Sequence, residues 1–161
     1  MATPVIGSFS AILIRMADVD RVARQRMTDA GHLYTRGRQL VMATLSQIGA
    51  PATIPMILKA APALVQSSLY RNLAVLQSAG LVTRVDVGDE RAFFELSELI
   101  TNDHHHHLVC SECSTVVDIT LPVRAERALD RALGDAAEGV GFELKDHRVD
   151  LVGVCAVCRA A

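Results

Sequence analysis

Two Cys-x-x-Cys pairs, Cys110 with Cys113 and Cys155 with Cys158, constrain this chain more than any other feature. Four thiolates arranged as two knuckles match the tetrahedral geometry of zinc and its preference for sulfur. Two disulfides are the competing use of four cysteines, but they belong to exported proteins. No export signal is evident. The run FSAILIRMA at 9–17 is short, contains Arg15, and lacks a basic lead-in and a small-residue cleavage site. A structural Zn2+ in a cytoplasmic protein is the expectation. The 41 residues between the pairs exceed the gap in a compact zinc ribbon. The ion would therefore staple the start of a small domain to its last strand, and such closed sites stabilise small modules by on the order of 10 kcal/mol.

Immediately ahead of the first pair stands HHHHLVC, with His104, His105, His106 and His107 consecutive. In a strand, successive side chains face opposite ways, so His105 and His107 would point to one side and His104 and His106 to the other. That offers two metal sites with two imidazoles each. Imidazole suits Zn, Fe, Ni or Cu, and the pattern alone does not choose among them. The nearest candidates to complete the sites are Glu95, Asp118, Glu126 and His147. A solvated polar strand edge is the plain competitor.

The rest of the chain gives these sites a context. Its 161 residues suffice for one ordinary domain or two small ones. No stretch approaches the roughly 18 apolar residues of a membrane span. Residues 1–98 carry 10 Lys and Arg against 8 Asp and Glu, whereas residues 99–161 carry 6 against 10, so a balance of +2 meets one of −4. That asymmetry suggests two parts with different partners. Helical spacing of Phe9, Ile12, Leu13, Met16, Val19 and Ala23 predicts an N-terminal helix over about 8–30. A helix capped by Thr35 and closed by Gly49 follows, then one capped by Thr53 that ends before Pro62. A third is expected from a Ser67 cap to Gly80, with Leu69, Leu73 and Leu76 inward. Two β-prone runs around Gly88-Asp89 read as a hairpin. Helices followed by a hairpin give the order of a winged helix-turn-helix. Beyond it, STVVDIT reads as a strand, Pro122 opens a helix with Val123, Leu129 and Leu133 inward, and HRVDLVGVC reads as a strand. This α/β piece is small for an independent core, so metal or dimerisation is expected to supplement it. The fold class is α+β, with a winged-helix domain over 1–98 and a metal-binding dimerisation domain over 99–161.

For contact with DNA, the third helix would present Ser68, Tyr70, Arg71 and Asn72 near its N-terminal end, where a recognition helix meets base edges and phosphates. Arg84 and Arg91 on the hairpin, and Arg36 and Arg38 at the earlier helix entry, would hold the backbone.

SSLYRNLAVLQSAGLVTRVDVGDERAFFEL, HHHHLVCSECSTVVDI and GVCAVC together resemble the ferric uptake regulator family of metal-responsive repressors. Ser68-Leu69-Tyr70-Arg71 takes the place of the family's T-V-Y-R, and the match spans about residues 32–159. The resemblance implies a homodimer that binds operator DNA, with zinc on Cys110, Cys113, Cys155 and Cys158. It implies a regulatory Fe2+ or Zn2+ on His105, His107, Glu95 and Asp118, and a further site on His104, His106, Glu126 and His147. Two departures stand out. Iron and peroxide sensors of the family often carry a ligating His where this chain has APATIP, and zinc sensors often carry a Cys near the position of Leu96. The segment SELITND is also longer than usual, which brings Glu98 or Asp103 forward as substitutes for Glu95.

The function expected is a metal-dependent repressor sensing iron or zinc. An Fe(II)-dependent peroxide sensor or a manganese or nickel sensor is the alternative within the family. A metal buffer would explain the histidines but not the winged helix. A metallohydrolase would need an H-E-x-x-H helix or an open metal position with a placed base, and the sequence shows neither.

Overall fold

The computed structural model describes residues 16–87, 91–101 and 104–160. Within them the chain runs α1 (Met16–Asp29), α2 (Arg36–Ile48), α3 (Ile54–Ala60), α4 (Gln66–Ser78), β1 (Val82–Val87) and β2 (Arg91–Leu96). It continues through α5 (Glu98–Thr101), β3 (His106–Cys110), β4 (Val116–Ile119), α6 (Val123–Gly139), β5 (Asp150–Gly153) and α7 (Ala156–Arg159). The early part of the expected first helix and the Gly88-Asp89 turn lie outside the described residues.

The N-terminal half builds an ordinary core. Leu69, Leu73 and Leu76 fall on one stripe of α4 and are buried with Val41 and Leu45 of α2, Ile57 of α3 and Met27 of α1. Thr35 and Thr53 do occupy N-cap positions, but neither side chain makes a capping bond. The expected Ser67 cap is corrected: α4 starts at Gln66, with Val65 as its N-cap. Ser67 is thus already inside the helix, where its carbonyl accepts from the Arg71 guanidinium at 3.2 Å. Gly49 closes α2 at φ 62, a left-handed position that a Cβ would strain.

Strands β1 and β2 pair antiparallel, with Val85 opposite Phe93 and Thr83 opposite Glu95. Ala52 adds a bridge the sequence did not suggest, exchanging two backbone hydrogen bonds with Phe94 at 2.8 and 2.9 Å. Along β2 the alternation is clean. Phe94 and Leu96 enter the helical core, while Phe93 joins Val85, Val109 and Val116 in a second small cluster. That second cluster packs the hairpin against the C-terminal sheet.

The C-terminal sheet has the order β4-β3-β5, with β3 antiparallel to β4 and parallel to β5. Helix α6 makes the crossover. Pro122 stands at its N-cap as the sequence suggested, but the inward face does not become a core. Leu129 and Leu133 are half-buried and Val123 is 68% exposed. The physical reason is the size of this half: one helix on a three-stranded sheet has too little surface to enclose its own apolar side chains.

Truncating Leu73, which is 1% exposed between α2 and α4, should cost about 2–5 kcal/mol. Urea unfolding monitored by circular dichroism measures this, and an unchanged midpoint would contradict the packing described.

Candidate metal centres and nucleic-acid face

Strand β3 is the scaffold of the site. Its pleat sends His106 and His107 to opposite faces, and both are buried, at 1% and 4% exposure. His104 and His105 continue the alternation. His105 and His107 lie edge to face with ring centroids 5.2 Å apart, as do His104 and His106 at 4.9 Å.

On one face, Glu95 sits between His105 and His107. Its carboxylate is 3.3 Å from His105 Nε2 and 3.2 Å from His107 Nε2. Glu95 is there because β2 alternates: it shares the side of Phe93, which faces β3. Leu96 takes the other side and is buried in the helical core, so that position contributes no ligand. Asp118, across the β3–β4 register from His107, stands 3.9 Å from His107 Nε2. Burial alone would push the Glu95 carboxyl up, but hydrogen bonds with His105 and His107 override it and hold the carboxyl down to about 2. His107 is raised by its bond to Glu95.

On the other face, Glu126 from the first turn of α6 stands 3.2 Å from His104 Nε2, 3.1 Å from His106 Nε2 and 3.2 Å from His147 Nε2. Its carboxyl is lowered mainly by the bond with His106. His147 Nε2 and Glu126 Oε1 are both buried without a well-formed hydrogen bond. Such orphaned atoms aimed at one point are what a cation would satisfy. Ligands about 2.0–2.1 Å from a tetrahedral ion lie roughly 3.3–3.4 Å apart. The distances from Glu95 and Glu126 to their histidines approach that spacing, with all ligand atoms of each cluster within 4.8 Å of one another. Glu98, proposed above as a substitute for Glu95, goes to this second cluster instead, 2.9 Å from His104 Nδ1. Asp103 lies outside the described residues.

The four cysteines form no disulfide, and their Sγ atoms gather within 4.8 Å of one another. Cys113 and Cys155 Sγ are 3.8 Å apart, the separation that metal–sulfur bonds of about 2.3 Å impose on a tetrahedron. Backbone N–H groups point at the sulfurs, Cys155 N donating to Cys110 Sγ at 3.3 Å and Cys158 N to Cys155 Sγ at 3.5 Å. Those from Cys155 and Cys113 lower the Cys110 thiol to about 6, while sharing with Cys155 and Cys113 pushes Cys158 up to about 12. Part of the cluster is therefore ready to act as thiolate.

Sequence reasoning missed two acidic residues. Asp150 bonds His107 Nδ1 at 3.1 Å, and Asp130 lies 3.3 Å from His147 Nδ1. Asp130 was accessible in principle, one helical turn beyond Glu126 on α6. Asp150 was not, since it depends on the parallel register that sets it beside His107.

The residues expected to meet DNA are placed as follows. Ser68, Tyr70 and Arg71 are exposed on α4, as are Arg36 at the start of α2 and Arg84 on β1. Arg84 also pairs with Asp86 at 2.7 Å. Asn72, expected at the surface, is half-buried, because α2 and α4 approach closely at Gly37, where a Cβ would come within 3.1 Å of the Asn72 amide. Arg38 is half-buried as well and donates to the Leu33 carbonyl. The Arg91 side chain lies outside the described residues.

Comparison with known proteins matches these features. A model of the ferric uptake regulator family covers residues 29–152. The ferric uptake regulation protein of Legionella pneumophila is 29% identical over 140 residues, covering 84% of this chain and 97% of that one. The peroxide operon regulator of Bacillus subtilis (strain 168) is 30% identical over 140 residues, covering 84% and 90%. In three dimensions, the Vibrio cholerae ferric uptake regulator superposes with a TM-score of 0.64 at 28% identity, over 82% of this chain and 98% of that chain. The Helicobacter pylori ferric uptake regulator shares the fold with a TM-score of 0.71 at 16% identity, over 90% and 94%. With the family model matched from α1 into β5 and with the family's four-cysteine cluster assembled, the chain belongs to the ferric uptake regulator family of metal-dependent transcriptional regulators.

Proposed function

We propose that this chain is a metal-activated repressor whose sensing site is Glu95, His105, His107 and Asp118. The observation that carries the reading is the position of Glu95. It belongs to the hairpin of the winged helix, yet its carboxylate lies between two histidines of the C-terminal strand β3. An ion held by all of them ties the two halves in one orientation. Metal then binds the DNA-competent arrangement more tightly, and DNA binding tightens metal by the same factor; a hundredfold effect needs about 2.7 kcal/mol of coupling.

Cys110, Cys113, Cys155 and Cys158 hold a structural zinc that staples the end of β3 to the segment just after β5. His104, His106, Glu126 and His147 form a second His site. In the domain division, 1–98 binds DNA and 99–161 dimerises. Support for a homodimer comes from the C-terminal half, where Phe142, Val140 and Val152 are more than 70% exposed, since apolar side chains left open this way call for a partner surface. Support for operator DNA as partner comes from the exposed Ser68, Tyr70 and Arg71 on α4, with Arg36 on α2 and Arg84 on β1 also exposed and Arg38, Asn72 and Arg91 as further contacts. No described helix is long and apolar enough to cross a membrane.

Fe2+ or Zn2+ is the regulatory ion of this reading. Its four ligands mix two imidazoles with two carboxylates, a set that Fe2+ and Zn2+ both accept. An Fe(II)-dependent peroxide sensor is the second reading, favoured by the identity to the Bacillus subtilis peroxide operon regulator.

Gently chelated protein, still holding its cysteine-bound zinc by elemental analysis, should bind its own promoter DNA weakly and regain tight binding with one of Zn(II), Fe(II) or Mn(II) added anaerobically. His105→Ala should abolish that gain; equal DNA affinity with and without metal would refute the sensing reading. Arg71→Ala should weaken DNA binding by about 5- to 150-fold, the 1–3 kcal/mol of a good base contact, with metal affinity unchanged in a chelator competition. Cys113→Ser should lose the structural zinc, lower the melting temperature and give monomers in light scattering. A zinc-free variant that stays dimeric with wild-type melting would contradict the stapling role.

A further inference from the structure

His104, His107 and His147 share one arrangement. Each turns Nε2 toward its cluster's carboxylate and gives Nδ1 to a second carboxylate outside it: Glu98 at 2.9 Å, Asp150 at 3.1 Å and Asp130 at 3.3 Å respectively. A carboxylate on the far nitrogen fixes the tautomer and ring angle of a ligating histidine and makes its other nitrogen a better donor to metal.

What differs is where each outer carboxylate is anchored. Asp130 sits on α6, the helix that also supplies Glu126, so it reports to the C-terminal half alone. Glu98 opens α5, which is fastened to the winged helix on both sides of it. Ser97 donates its backbone N–H to the Leu81 carbonyl at 3.1 Å and its hydroxyl to the Gly80 carbonyl at 2.7 Å. Ile100 is buried in the helical core. Asp150 reaches the same half by another route. Arg148 Nε lies 3.5 Å from Asp150, and Arg148 Nη1 donates to the backbone carbonyl of Arg84 in β1 at 2.9 Å. Each cluster thus has one outer carboxylate linked to the DNA-binding half.

We propose that Glu98 and Asp150 are positioning residues that carry metal occupancy of the two His clusters to the winged helix, so that the His104–His106–Glu126–His147 cluster also sets its orientation. The inference rests on the reading of the chain as a metal-dependent DNA-binding regulator. Coordination at Nε2 draws electron density from the ring and makes Nδ1–H a stronger donor. The bond to the outer carboxylate is then tighter in the loaded state, and by reciprocity an outer carboxylate held in place favours loading. Glu98 holds α5 against His104. Asp150 holds Arg148, which steadies the hairpin backbone at Arg84.

The test compares Glu98→Gln, Asp150→Asn and Arg148→Ala with Asp130→Asn as the internal reference. Zinc affinity is measured by chelator competition on protein retaining its cysteine-bound metal. Affinity for promoter DNA is measured by fluorescence anisotropy at saturating zinc. All three carboxamide variants should lose zinc affinity by about 10- to 100-fold. At saturation Asp130→Asn should recover wild-type DNA affinity, whereas Glu98→Gln and Asp150→Asn should remain at least tenfold weaker. Arg148→Ala should lose less zinc affinity than Asp150→Asn and still bind DNA weakly at saturation, and Glu98→Asp should restore part of what Glu98→Gln loses. The proposal is overturned if Glu98→Gln and Asp150→Asn saturate to wild-type DNA affinity alongside Asp130→Asn, since the outer carboxylates would then tune metal affinity only. A wild-type protein whose DNA affinity ignores zinc, iron and manganese alike overturns the sensing reading itself, and this inference with it.

Discussion

The Glu95 carboxylate, held between His105 and His107, is the contact on which the rest of the molecule turns. Two strands from different halves of the chain meet there, and each must be in register for it to form. On β2 the alternation that buries Phe94 and Leu96 among the helices leaves Phe93 and Glu95 facing the C-terminal sheet. On β3 it divides four adjacent histidines between two clusters. A slip of one residue in either strand would put Glu95 in an apolar core or exchange the two sets of histidines. Phe93, packed with Val85, Val109 and Val116, supplies the apolar contact beside the polar one. The hairpin is therefore a structural part of the DNA-binding half and one wall of the metal site.

The C-terminal half has little apolar core of its own. Its sheet has three strands, and none of the described residues of α6 is buried. Beside the small Val109–Val116 contact with the hairpin, its fastening is polar: one His–carboxylate cluster on each face of β3 and four cysteines at the end of that strand. Without cations these groups neutralise one another by hydrogen bonding, with Glu95 and Glu126 lowered and His104 and His107 raised. A ligating nitrogen must be free of its proton to bind a cation, so metal binding and proton release are linked.

Much of this was legible in the sequence where a local period or a short spacing carried the information. The cysteine knuckles, the alternation of the histidines, the Leu69–Leu73–Leu76 stripe and the hairpin all follow from intervals of a few residues. The failures have a common cause. The Ala52–Phe94 bridge, the Asp150–His107 bond and the half-burial of Asn72 against Gly37 are set by how elements pack. Glu98 shows the point most clearly. Counting residues made it a rival of Glu95, but the short helix α5 turns it toward His104 and into the other cluster. The Ser67 cap failed differently: a good capping residue stands two positions past the actual N-cap, Val65, and the helix begins at Gln66.

The most direct measurement is the distance between the two halves in solution. Genetically encoded spin labels on Gln77 at the end of α4 and Arg131 on α6 leave the cysteines untouched, and pulsed electron resonance reads their separation. With the cysteine zinc retained, chelated protein should show a broad distribution that collapses to a single narrow one when the regulatory metal is added, and Glu95→Gln should block the collapse. A distribution that is the same with and without regulatory metal would contradict the claim that an ion at Glu95, His105 and His107 clamps the winged helix.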